Sequence, residues 1–171
     1  MNAKILFSLI ILFAPSFAFA HPGHQPPVMP KEFETLKKLI GTWEGTTTMN
    51  GKEENMKVTY ALTSGGTAIE EREFAGTPNE MVSIYHKEGK SLAMTHFCAL
   101  GNQPHMAMKK ATADSLAFEM TKSMGLVSPK EEHMHAVTLT FTGPDTLKQE
   151  WTHYADGKAT GTVAFNFKRS K

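Results

Sequence analysis

Four residues able to bind a metal or move a proton fall into two pairs spaced i, i+2: His96 with Cys98, and His133 with His135. On a β-strand that spacing puts both members on one face, with α-carbons about 7 Å apart. His96 and Cys98 alternate in step with Leu92 and Met94, and His133 and His135 in step with Val137, Leu139 and Phe141. The expectation is three imidazoles and one thiol projecting into an apolar interior. Three histidines, with or without a thiolate, form a donor set that zinc or copper accepts. The alternative is that each imidazole stays neutral and hydrogen-bonded in a polar-lined cavity. A third reading makes a lumenal histidine the general base of a lyase or isomerase.

Other residues bear on binding. Between His96 and His105 runs Ala99-Leu100-Gly101-Asn102-Gln103-Pro104. Its Gly and Asn permit left-handed backbone, and Asn102 and Gln103 offer donors and acceptors, so it is read as a mouth binding loop or as an ordinary turn. Cys98 lies too far along its strand from His96 to be activated by it directly, and a buried thiol more often packs as a small apolar group. Met94 and Trp151 sit at interior parity and join the ligand candidates, while Met106 and Met108 offer adaptable apolar surface. His21 with His24 admits a copper site through a terminal amine, or else a plain tail. No phosphate loop, nucleotide fingerprint, Ser-His-Asp spacing or helpfully placed pair of carboxylates is visible.

The elements that must position these groups are mostly strands. Phe33, Leu36, Leu39 and Ile40 recur at helical spacing and stop at Gly41, which predicts one amphipathic helix of about two turns. After Gly41 the period is two: Met56, Val58, Tyr60, Leu62; Val82, Ile84, His86; Leu116, Phe118, Met120; Leu147 and Trp151; Val163, Phe165, Phe167. Turn residues separate these runs, among them Asn50-Gly51, Ser64-Gly65-Gly66, Glu88-Gly89 and Asp156-Gly157. The pattern predicts an all-β, antiparallel up-and-down barrel of about nine or ten strands, closed because one helix cannot cover so many apolar faces. Thr67 to Phe74 carries Glu70, Glu71, Arg72 and Glu73 on both faces and is expected near a mouth or an edge. Lys122 to Glu132 is the longest irregular loop, a candidate lid.

The chain has 171 residues, with 40% hydrophobic and 20% charged, and one Cys, so no intrachain disulfide or four-thiolate zinc site can form. Residues 1–20 have a basic start at Lys4, an apolar run from Ile5 to Ala14 and a Phe17-Ala18-Phe19-Ala20 cleavage pattern, as in a signal peptide cut between Ala20 and His21. The run is too short to span a bilayer, so no stable membrane anchor is expected after cleavage. Loss of Lys4 leaves 17 basic against 17 acidic residues, a balance that argues against nucleic acid or a membrane patch as partner. Residues 21–30, with four prolines, read as an extended arm, and 31–171 as one barrel domain. The expected location is the periplasm or the exterior.

Gly41-Thr42-Trp43, following a short helix and opening the first strand, resembles the calycins, the superfamily of lipocalins and fatty-acid-binding proteins. The resemblance implies that Trp43 is covered by a basic side chain from the last strand; Arg169, at the parity of Phe165 and Phe167, fills that role. Ser64 to Glu71, Glu80 to His86, Thr95 to Pro104, His133-Met134-His135 and Glu150-Trp151-Thr152 resemble a family of uncharacterised exported bacterial lipocalin-like domains, over most of residues 33–169. Haem-binding nitrobindin-like barrels are the nearest functional analogue, but they place a ligating histidine close to the C-terminus, where this chain has none nearer than His153. Three functions follow as expectations. The first is a carrier of an apolar or amphipathic small molecule, with His96, His133 and His135 as polar contacts. The second is a metal or haem binder through His96, Cys98, His133 and His135, with zinc or copper before haem. The third is an enzyme using a lumenal base.

Overall fold

The structure, a computed structural model, describes residues 27–49, 52–122 and 125–170. The predicted signal sequence, most of the proline-rich arm and the His21–His24 pair lie outside the described residues.

Among the described residues one α-helix precedes ten strands: α1 (Phe33–Lys37), β1 (Gly41–Met49), β2 (Lys52–Thr63), β3 (Ala68–Glu73), β4 (Met81–Glu88), β5 (Ser91–Phe97), β6 (His105–Ala111), β7 (Ser115–Met120), β8 (His133–Gly143), β9 (Thr146–Ala155) and β10 (Lys158–Arg169). Every pair of consecutive strands is antiparallel, and β1 pairs with β10 to close the barrel. Closure leaves β3 between β2 and β4, so the charged strand is no edge. The helix is shorter than its apolar spacing suggests: Phe33, Leu36 and Leu39 are fully buried, whereas Ile40 is 38% exposed because the chain turns into β1 there. Among the described residues no helix is long and apolar enough to cross a membrane.

The two ends of the barrel differ. At the closed end the Arg169 guanidinium lies 4.1 Å over the Trp43 ring and donates to the carbonyls of Ile40 and Lys38 at 2.8 and 2.7 Å. Trp43 Nε1 donates to Leu39 O at 2.7 Å, so helix, first strand and last strand are tied at one point. At the mouth, segments 98–104 and 125–132 fold onto each other: Gln103 N donates to Gly125 O, and Asn102 Nδ2 donates to Glu131 Oε1 and Glu132 O. Gly125 has φ +79°, and a Cβ there would stand 1.8 Å from the Gln103 carbonyl oxygen, so the approach requires glycine.

The interior is apolar along most of its length. Val58, Ile69, Leu92, Met94, Met106, Leu116, Phe118, Val137, Leu139 and Leu147 are buried at the positions the two-residue period assigns to one face.

Candidate functional site

The polar part of the interior is built on β3. Its register with β2 and β4 sets Tyr60 opposite Glu71, and Glu71 opposite Ser83; the β4–β5 register then sets Ser83 opposite His96. All four are buried, so a single row of Tyr60, Glu71, Ser83 and His96 crosses the inside of four adjacent strands. The other two charged residues of β3 face outward, where Arg72 pairs with Glu70 at 2.8 Å and with Glu80. Alternation thus sorts the charged run into an exterior ion-pair network and two interior acids, Glu71 and Glu73. Interior acids are what sequence reasoning missed. The signal was present, since both share the parity of Ile69, and Tyr60 shares that of Val58.

Glu71 is a carboxylate held by donors. Tyr60 Oη donates to Oε1 at 2.8 Å and Tyr85 Oη to Oε2 at 2.7 Å. Gln149 Nε2 donates to Oε1 and also contacts Tyr60 Oη, and the Ser83 hydroxyl reaches the same carboxylate. Trp151 Nε1 in turn donates to Gln149 Oε1 at 3.3 Å, fixing the amide's orientation. Burial raises the Glu71 pKa, and the four donors oppose that rise. Burial and the charge of Glu71 push both phenols well up, so Tyr60 and Tyr85 remain donors.

Glu73, two residues on, has none of this support. It is 2% exposed, and its Oε1 has no hydrogen-bond partner. Desolvation, then the adjacent Glu71 charge, push its pKa well up, so of the two acids Glu73 is the one favoured to hold a proton.

His96 links the pair to the mouth. Ser83 Oγ lies 3.0 Å from His96 Nδ1. With Ser83 donating to Glu71, its oxygen accepts from Nδ1–H, and the proton-free Nε2 is left buried and unpartnered. Desolvation lowers its pKa to about 4, so the ring is neutral; Trp151 packs on it with centroids 4.7 Å apart. A third orphan, Asn102 Oδ1, lies in the mouth loop, whose backbone bonds to Cys98. Cys98 itself is half-buried just beyond β5, with its thiol pKa raised, first by burial.

The other predicted residues separate from this row. A register shift between Met134 and Ala136 inserts a β-bulge into β8. His135 is therefore thrown out of step with Val137, Leu139 and Phe141: its side chain is 17% exposed, stacks on Tyr154 at 3.8 Å and faces Glu119 at 3.9 Å. His133 is buried, with Nδ1 2.6 Å from Glu131 O and Nε2 3.0 Å from His135 Nδ1. The two line a cleft of about 170 Å³ with Met120, Lys122, Pro129 and Tyr154. Both ring nitrogens of His153 are engaged, with Thr160 and Glu132. Gln103 is exposed, its amide turned back to Gly101 O. Among the described residues no three of His, Cys, Asp and Glu converge in a metal-binding arrangement, so His96, Cys98, His133 and His135 do not form one constellation. Met94 and Trp151 are buried inside the barrel.

No family model and no curated protein matches the chain. Solved structures do. The crystal structure of Rv2717c from M. tuberculosis matches with a TM-score of 0.60 and 16% identity, over 84% of this chain and 100% of that one. A protein of unknown function from the DUF3598 family of Nostoc punctiforme matches with a TM-score of 0.50 and 12% identity, over 79% of this chain and 49% of that one. At these identities the likeness is one of fold: this chain shares with them an antiparallel β-barrel.

Proposed function

We propose that the chain is an exported, lipocalin-like carrier that holds an apolar or amphipathic small molecule in the mouth half of its lumen, with the ligand's polar end against Glu73, His96 and Asn102. One observation carries the reading. Three side-chain atoms, Glu73 Oε1, His96 Nε2 and Asn102 Oδ1, are buried without partners, on elements that meet at one end of the barrel. Each such atom costs on the order of 1–3 kcal/mol when left unpaired, a cost that a bound polar group would remove. Apolar neighbours such as Met94, Met106 and Phe118 suit the rest of the ligand. Segments 98–104 and 125–132, latched through Asn102 and Gly125, are placed to open and close over it.

The enzyme reading fits less well: a lumenal base with a pKa near 4 is too weak to take a proton efficiently at neutral pH. Haem also fits poorly, because among the described residues the buried imidazole with a free nitrogen is His96, packed between Ser83 and Trp151.

The test is a fluorescence titration with N-phenylnaphthylamine, a neutral apolar probe. Saturable binding at one site per chain, with energy transfer from Trp151 that Trp151→Phe removes, is expected. Absence of saturable binding, or transfer unaffected by that substitution, would overturn the reading.

A further inference from the structure

We propose that the ligand is an organic amine bound as its ammonium ion, with the nitrogen at Glu73 and the apolar body in the lumen. The inference rests on the carrier reading above and narrows its ligand to one chemical class.

The argument is one of charge and of hydrogen bonds left over. Among the described residues no lysine or arginine is buried, whereas two glutamates are. A fatty acid or other anion entering the lumen would meet two buried acids and, among the described residues, no buried cation. Glu71 cannot serve a ligand, because Tyr60, Tyr85, Gln149 and Ser83 already occupy its oxygens. Glu73 has a free oxygen, and the other orphans, His96 Nε2 and Asn102 Oδ1, are acceptors as well. Once Glu73 gives up its proton, three acceptors with no donor among them match a group that only donates. An ammonium has three N–H bonds and no lone pair. A hydroxyl can use one of the three acceptors; a carboxylate can only accept from the Glu73 O–H, and then stands as a second buried charge beside Glu71.

Binding would change the ionisation of Glu73. In the free protein its proton avoids a second buried charge beside Glu71. An arriving ammonium supplies the missing counter-charge, so the carboxyl releases that proton to solvent and pairs with the ligand. The groups that can titrate around Glu73 are Glu71 on the same strand, Tyr60 on β2, Tyr85 on β4, His96 on β5 and Cys98 beyond it. The two phenols and the thiol have raised pKa values and keep their protons, and His96, lowered to about 4, is already neutral, so one proton should leave per amine bound.

Calorimetry with decylamine, decanol and decanoate, on protein purified without an affinity tag, tests this. Decylamine should bind about tenfold or more tighter than decanol, with affinity rising with pH, by at most about tenfold per unit, as one proton is released. Glu73→Gln should lose about tenfold or more for the amine and less than about threefold for the alcohol. Its melting transition, and that of Glu73→Leu, should remain cooperative, which separates lost binding from lost fold. Equal or tighter binding of decanol or decanoate would overturn the amine assignment while leaving the carrier reading intact. No binding of any of the three would overturn both.

Discussion

Two regions of one barrel treat buried polarity in opposite ways. At the closed end, the Trp43 indole and the Arg169 guanidinium are matched to partners on the α1–β1 turn, β1 and the β8–β9 turn. At the mouth end, three buried atoms have none. Within β3 the same contrast appears two residues apart, with Glu71 held by four donors and Glu73 by no side-chain donor. A fully satisfied polar group specifies structure; an unsatisfied one costs stability and is kept where something else comes to satisfy it. The closed end and Glu71 hold the fold, and the Glu73–His96–Asn102 end is available for chemistry.

The largest effect should come from breaking the satisfied acid. Glu71→Leu strands Tyr60, Tyr85, Gln149 and Ser83 without their common acceptor and should cost about 3–5 kcal/mol in urea unfolding. Glu73→Leu, two residues away, removes an orphan and should be neutral or stabilising by about 1–3 kcal/mol. Equal losses at the two positions would erase the distinction between them. Arg169→Ala should cost about 1–3 kcal/mol through the lost cation–π contact and carbonyl bonds, and leave probe binding in the lumen unchanged. An unchanged melting temperature would mean that the closed end is not what secures the barrel.

The smallest effect is a slope. The Glu71–Glu73 pair keeps a proton in the folded state that the unfolded chain gives up above about pH 4.3, so its contribution falls as pH rises from there through the raised folded value. His96, lowered to about 4, works oppositely: its contribution is present above the unfolded value near 6.5 and is lost as pH falls through about 4. The two offset between about pH 4.3 and 6.5, and above that stability should decline by at most about 1.4 kcal/mol per unit. Glu73→Gln should flatten that decline. A slope unchanged in the variant would place the retained proton elsewhere.

The meander and most of the strand alternation were legible because they are local, and the pairing of Trp43 with Arg169 because the calycin resemblance implies it; on β4 the parity is reversed, since Ser83 and Tyr85 are buried and Val82, Ile84 and His86 are not. His135 was misplaced because a β-bulge shifts parity by one residue, and no Gly or Pro in Met134-His135-Ala136 marks it. The interior acids were hidden differently. Four consecutive charged residues, Glu70 to Glu73, look like solvent-facing polarity, and the groups that justify burying Glu71 are 11, 14 and 78 positions away. Only closure brings Gln149 of β9 across to β3. Hydrogen-bond satisfaction is a property of the assembled lumen, and no window of sequence contains it.

Carboxyl carbon NMR of the two glutamates, assigned with Glu71→Gln and Glu73→Gln and followed through a decylamine titration at neutral pH, tests the central distinction most directly. The account predicts an ionised Glu71 and a protonated Glu73 in the free protein, with Glu73 alone moving to the carboxylate position as the amine binds. Two ionised carboxylates at the outset, or a Glu73 resonance that does not respond to saturating amine, would contradict it.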